Sequence, residues 1–285
     1  MASPKPLLPL VVVCNNLVGT IRPVMDVLLH LPEATTEWCP LTNRRTLTYL
    51  GRHAQVLAGS TEETATWNHE RVFYPPIENE PGSRRIAGFP GPAEHVGYDI
   101  GGQSLWQRLL EANWAAYCQR LPRQPRHRFY VEPALPWLPT LLHFAAMPHR
   151  TLFVVRDPRS ELAEQWMAGR RRGALPAVVN CIETPLSFAE RQCNRHVRAD
   201  LAERAGLEQS AAALCVRYED FLGATTQVWE RLREWLALPH RPPPRSPATN
   251  HEWPEPRWRP ILPESVLALY RKKMRAELEA LGYAS

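Results

Sequence analysis

Arg156 follows an uninterrupted apolar run, Thr151-Leu-Phe-Val-Val155, and precedes Asp157-Pro158-Arg159. A guanidinium carries a permanent charge and a planar fork of donors, which suits the oxygens of phosphate or sulfate. The run before it lacks polar alternation, the pattern of a strand covered on both faces of a parallel sheet. Pro158 bars continuation of the ladder and biases Asp157 towards extended backbone. Leu162 and Trp166 then recur at helical spacing, so 151–167 reads as strand, tight turn and helix. That places Arg156 at the carboxyl end of a central strand, where open α/β sheets bind ligands. The competing reading is an ion pair from Arg156 to Asp157 or to a carboxylate of the following helix.

A second strand, turn and helix begins earlier. Leu7 to Cys14 is apolar, Asn15-Asn-Leu-Val-Gly19-Thr20 is a turn, and Val24, Val27, Leu28 and Leu31 form one face of a helix over Pro23 to Leu31. Backbone N–H groups at such a helix start can cradle an anion, which makes Gly19, Thr20 and Arg22 candidate ligand contacts. The loop has one glycine and no lysine before Thr20, so it fails the G-x-x-x-x-G-K-[ST] pattern and a kinase-like phosphotransferase is disfavoured. His69 and Glu70 are an adjacent acid/base pair in the first third. They are candidates for proton transfer, weighed against simple solvation in a polar loop.

These residues need a scaffold. At 285 residues the chain can bury a full α/β core as a single domain over 1–285. Periodicity predicts helices over Ser104–Arg120, through Leu105, Leu109, Ala112 and Ala116, and over Pro136–Phe144, Leu186–Ala205, Thr225–Leu238 and Pro263–Leu281. Further strands are predicted at Arg128–Val131 and Ala211–Tyr218. A central parallel sheet with helices on both faces should therefore contain Leu10–Cys14, Thr151–Val155 and Ala213–Val216. From Pro32 to Gly102 the sequence reads as irregular, with an insertion about 75–102 that holds five prolines and six glycines. A proline-rich arm follows at about 239–263.

Net charge +5 suits an anionic ligand, but the arginines are spread among acidic residues rather than gathered in a stripe, which argues against nucleic acid. Six cysteines without a C-x-x-C pair or a metal spacing point to reduced thiols, no metal and a cytoplasmic setting. No apolar run approaches the ~20 residues of a membrane span.

Several pieces in order, Val154-Val-Arg-Asp-Pro-Arg159, Arg171-Arg-Gly173, Val216-Arg-Tyr-Glu-Asp-Phe221, Arg257-Trp258 and Leu281-Gly-Tyr283, resemble the sulfotransferases that use 3′-phosphoadenosine 5′-phosphosulfate (PAPS). The resemblance implies a P-loop-type α/β fold. It also implies a 3′-phosphate held by Arg156 and a tail arginine, Arg257 or Arg259, reaching the same phosphate. Three positions depart from the family pattern. Leu17 replaces the cation of the first turn, Glu132 replaces the lysine of the second-strand K-x-P, and Glu164 replaces a serine eight residues after the R-D-P arginine.

Two readings follow. One is a divergent sulfotransferase that moves a sulfuryl group from PAPS to a hydroxyl or amine, with His69 or Glu70 as base and Arg22 compensating in the loop. The other is an inactive protein of the same fold that binds other protein subunits through its tryptophans and proline-rich arms.

Overall fold

A computed structural model describes residues 5–14, 20–39, 45–58, 99–100, 103–134, 137–164, 186, 189, 211–223, 226–241, 258–280 and 282–283. Seven strands lie among them: β1 (Leu8–Cys14), β2 (Ala34–Thr35), β3 (Asp99–Ile100), β4 (Gln103–Ser104), β5 (Phe129–Ala134), β6 (Arg150–Val155) and β7 (Ala213–Arg217). Five form a parallel sheet in the order β2-β5-β1-β6-β7, and β3 and β4 form a small antiparallel ladder. All six residues of β5 are buried, as are six of the seven in β1 and five of the six in β6. Consecutive burial of this kind requires cover on both faces. The three strands predicted from apolar runs are all present.

The described residues fall into two compact units, one drawn from Met1–Val11 and Pro32–Arg150, the other from Val12–Leu31 and Thr151–Ser285. In the first unit, helices α2 (Thr46–Ala58), α3 (Leu105–Arg120) and α4 (Trp137–Phe144) accompany β2 and β5. Helix α2 was not expected, because 32–102 reads as irregular. Its opening Thr-Leu-Thr is poor helix sequence, and its start is fixed from far away. Glu132, fully buried on β5, accepts N–H bonds from Leu47 (2.7 Å) and Thr48 (2.8 Å) and the Thr48 hydroxyl (2.7 Å). A carboxylate 84 residues distant thus satisfies donors that a helix start leaves unpaired. The residue that departs from the family's lysine is a helix cap.

The buried face of α3 also differs from the predicted stripe. Leu110, Trp114 and Cys118 are buried, while Ala112 and Ala116 are exposed. The larger side chains win because buried apolar area sets the gain. Trp114 packs edge-on to Tyr130 at 5.2 Å and donates its indole N–H to Leu7 O, tying α3 to the start of β1. Tyr117, stacked beside Trp114, donates its hydroxyl to Glu37, which also accepts from Thr46.

In the second unit, α1 (Ile21–Leu28) buries Val24, Val27 and Leu28 as predicted. Helical residues 158–164 follow the turn after β6. Strand β7 pairs with β6 from Thr151↔Ala213 to Val155↔Arg217. Two helices follow β7, α5 (Tyr218–Leu222) and α6 (Thr226–Trp235). The predicted C-terminal helix is two, α7 (Glu264–Lys273) and α8 (Arg275–Ala280). The break falls at Met274, whose φ of −131° leaves the helix while its side chain is fully buried. Neither proline nor glycine marks that site in the sequence.

Burial pushes Glu132 up to about 7, while the Thr48 and Leu47 donors pull it down. Glu132→Ala should leave two helix-start N–H groups unpaired in the interior and cost about 2–3 kcal/mol. Glu132→Gln keeps one acceptor oxygen and should lose less. Urea unfolding midpoints check both, and an Ala variant as stable as the parent would remove Glu132 as the cap of α2.

Candidate functional site

The carboxyl end of β6 carries the predicted turn. Asp157 caps the helical stretch that follows: its Oδ1 accepts the Arg159 N–H at 2.9 Å, and Pro158 takes the first helical position, where a missing N–H costs nothing. The same carboxylate receives the Arg159 guanidinium through Nε (3.0 Å) and Nη2 (3.0 Å). Arg159 is itself buried and lies 4.2 Å over the ring of Trp258. Asp157 is therefore committed to Arg159, and its pairing with Arg156, one of the sequence alternatives, does not occur.

Arg156 has the other alternative. Its side chain is 1% exposed, and its fork grips Glu164 with Nη1–Oε2 at 2.7 Å and Nη2–Oε1 at 2.6 Å. Glu164 is 41% exposed. The Arg156 guanidinium also lies 4.7 Å over the Tyr218 ring, a cation–π placement. Burial works against its charge, and the Glu164 carboxylate more than restores it. Arg156 Nη1 is 3.4 Å from the Thr20 hydroxyl. Thr20 is fully buried and makes no side-chain cap bond to α1, so its hydroxyl is turned towards the guanidinium. Thr20 and the R-D-P turn thus meet, while Gly19 lies outside the described residues.

Of the remaining predicted residues, two are described. Arg22 is exposed on the first turn of α1. Arg259 is exposed too, 5.5 Å over the Trp258 ring. Gly19, His69, Glu70 and Arg257 lie outside the described residues, as do Leu17, Arg170–Gly173 and nearly all of Leu186–Ala205. Among the described residues no three metal-ligating side chains are placed to hold an ion. Nor is any described helix long and apolar enough to cross a membrane.

Sequence reasoning missed three groups around Arg156. Glu161 is 7% exposed, and its Oε1 has no hydrogen-bond partner. Burial pushes it up to about 8; Arg156 opposes this, while Glu164, Asp157 and Glu219 add to it. Glu219 accepts the Asp157 N–H at 3.3 Å, and Tyr283 reaches both Glu219 and Val155. Glu161 carried a readable signal, a carboxylate directly beside buried Leu162 and Ala163. Cys14, at the end of β1, is a buried thiol held well above the usual range by burial and by Glu161, and so is inert as a nucleophile.

No family model and no curated protein matches the chain. Solved structures similar to it include a sulfotransferase domain from the curacin biosynthetic pathway, with 16% identity, 98% of each chain covered and a TM-score of 0.44. A sulfotransferase from Alicyclobacillus acidocaldarius shows 16% identity, 99% and 97% coverage and a TM-score of 0.46. A retinol dehydratase in complex with androsterone and inactive cofactor PAP shows 13% identity, 97% and 82% coverage and a TM-score of 0.48. With every score below 0.5, the weight rests on the geometry of the chain itself.

Glu161 makes stability depend on pH. Its unfolded value near 4.5 lies below the folded value near 8, so its contribution is fully present below the lower value. It is lost as pH rises through the upper one. Glu161→Gln removes this dependence, and relative to wild type it should gain on the order of 3 kcal/mol between acid and neutral pH. Parallel stability–pH curves for the two proteins would contradict the assignment.

Proposed function

We propose that the chain is a sulfotransferase-type protein whose Arg156 fork takes the phosphate of a 3′-phosphonucleotide, and that it transfers a sulfuryl group to a hydroxyl or amine acceptor. The observation that carries this reading is the meeting of Thr20 and Arg156 behind two neighbouring strands. A buried planar fork, an adjacent hydroxyl and an aromatic ring beneath the cation form a donor set that fits an oxyanion. Its two parallel N–H···O bonds to Glu164 have the geometry with which such a fork would take an oxyanion.

When bound, PAPS would supply the activated sulfuryl group. Arg156 and Thr20 would hold the nucleotide end, and Arg22, Arg257 and Arg259 are the cations available to the phosphates. Placing donors where negative charge develops is the largest catalytic contribution open to such a protein. His69 or Glu70 would take the proton from the acceptor. Glu164 opposes all of this. Before a phosphate can occupy the fork, the carboxylate must leave it, and its 41% exposure gives it a route to solvent. Each charge-assisted bond given up costs about 1.5–3 kcal/mol, and the net loss of one lowers affinity roughly 10- to 150-fold.

The same ion pair favours the second reading. A fork already satisfied by its own chain needs no ligand, and that suits a non-catalytic subunit that binds other proteins. Titration calorimetry with 3′-phosphoadenosine 5′-phosphate (PAP) separates the two, together with turnover of labelled PAPS. Under the first reading wild type binds weakly, Glu164→Gln tightens binding about tenfold or more, and Arg156→Ala abolishes it in a protein that remains folded by circular dichroism. If neither wild type nor Glu164→Gln binds or turns over the nucleotide, the subunit reading stands in its place.

A further inference from the structure

The Tyr283 hydroxyl lies 2.9 Å from the Val155 carbonyl oxygen and 2.8 Å from Glu219 Oε2. It has one hydrogen to donate. The carbonyl can only accept, so if Tyr283 donates to Glu219, the contact with Val155 sets two oxygens against each other without a proton. Both contacts become hydrogen bonds when a second proton sits on Glu219 Oε2: the acid then donates to Tyr283, and Tyr283 donates to Val155. Glu219 Oε1 remains an acceptor and receives the Asp157 N–H at 3.3 Å. All three atoms lie in one compact unit and are shielded, Tyr283 being 4% exposed.

We propose that Glu219 is a positioning residue carried as a neutral acid at neutral pH, whose proton completes the chain Glu219–Tyr283–Val155 and pins the C-terminal Gly282–Tyr283 to the turn that presents Arg156. Val155 and Asp157 flank Arg156 directly, so one carboxylic acid grips the turn on both sides of the guanidinium. The charges around it support the neutral form. Burial raises Glu219 most and the like charge of Asp157 adds to this, while the N–H donors of Asp157 and of Glu219 itself and the Tyr283 hydroxyl pull it down. Arg217, which would favour ionisation, is drawn to the Tyr283 ring at 4.6 Å and to Asp220 at 3.7 Å. Helices α1 and α6 also pack on α5 and bring Arg22, Asp26 and the charges of 230–234 at exposed or part-exposed positions. Gly282, at φ +78°, reverses the chain so that Tyr283 turns inward.

The inference does not require nucleotide binding, and its test is made on the full chain without ligand. Glutamine offers an N–H donor in place of the acid O–H and a carbonyl in place of Oε1, so Glu219→Gln should reproduce the pattern. Its unfolding equilibrium constant is expected within about threefold of wild type. Glu219→Ala and Tyr283→Phe each break the chain and should shift that constant at least tenfold. In carbon-13 spectra of labelled protein, a carboxyl signal in the acid position at pH 7 should vanish in Glu219→Gln. If the signal lost is a carboxylate, or if Glu219→Gln is as disruptive as Glu219→Ala, Glu219 is ionised and the proposal fails.

Discussion

A permanently charged guanidinium with a side chain 1% exposed, as Arg156 is, must be met by an anion and by hydrogen-bond acceptors, or the strand end that carries it would not stay buried. An unpaired buried charge costs several kcal/mol. Much of the second unit answers that requirement. Glu164 supplies the anion, Tyr218 the π face and Thr20 a hydroxyl. Each comes from a different element, so the pairing also fixes Thr20 at the head of α1, the helical stretch after β6 and the start of α5 around one point.

The surrounding acids follow from the same constraint. Asp157, Glu161, Glu164 and Glu219 crowd two buried cations, Arg156 and Arg159. Were all four ionised, the end of the sheet would carry two uncompensated negative charges in a poorly solvated place. Holding Glu161 and Glu219 neutral leaves two matched pairs, Arg156 with Glu164 and Arg159 with Asp157. The result is an anion-shaped fork without excess positive charge. Glu164, 41% exposed, is the one member of these two pairs with access to solvent. Asp157 is held by Arg159, and Glu161 is buried.

Legibility in the sequence tracked the range of the interaction. Strands β1, β6 and β7 could be read because each is a continuous apolar run that needs cover on both faces. The turn at Asp157-Pro158 could be read because a proline acts on its immediate neighbours, whereas the cap that Asp157 gives the Arg159 N–H was not read. Helix α2 could not, since its defining cap is Glu132 on another strand and its own first residues favour extended backbone. The buried stripe of α3 was misread for a related reason: helical spacing permits more than one face, and only packing of Trp114 against Tyr130 selects between them. Arg156 was located correctly with its two possible partners, and distance in three dimensions decided in favour of Glu164 because Asp157 was already capping the helix and holding Arg159.

Tyr283 marks the limit of local reasoning. It contacts Val155 across 128 residues and Glu219 across 64, and nothing in its neighbourhood announces a buried hydroxyl. Yet its position has a consequence for the whole unit. The hydrophobic face of α7, with Val266 and Tyr270 buried, and Leu278 on α8 anchor the end of the chain by area. Area alone does not fix register to an ångström. A hydroxyl wedged between a carbonyl and a carboxyl group does, because displacement in either direction breaks a buried hydrogen bond. The last described residue of the chain is thereby made part of the wall that holds the first residue beyond β6, and the aim of Arg156 depends on a side chain 127 positions away.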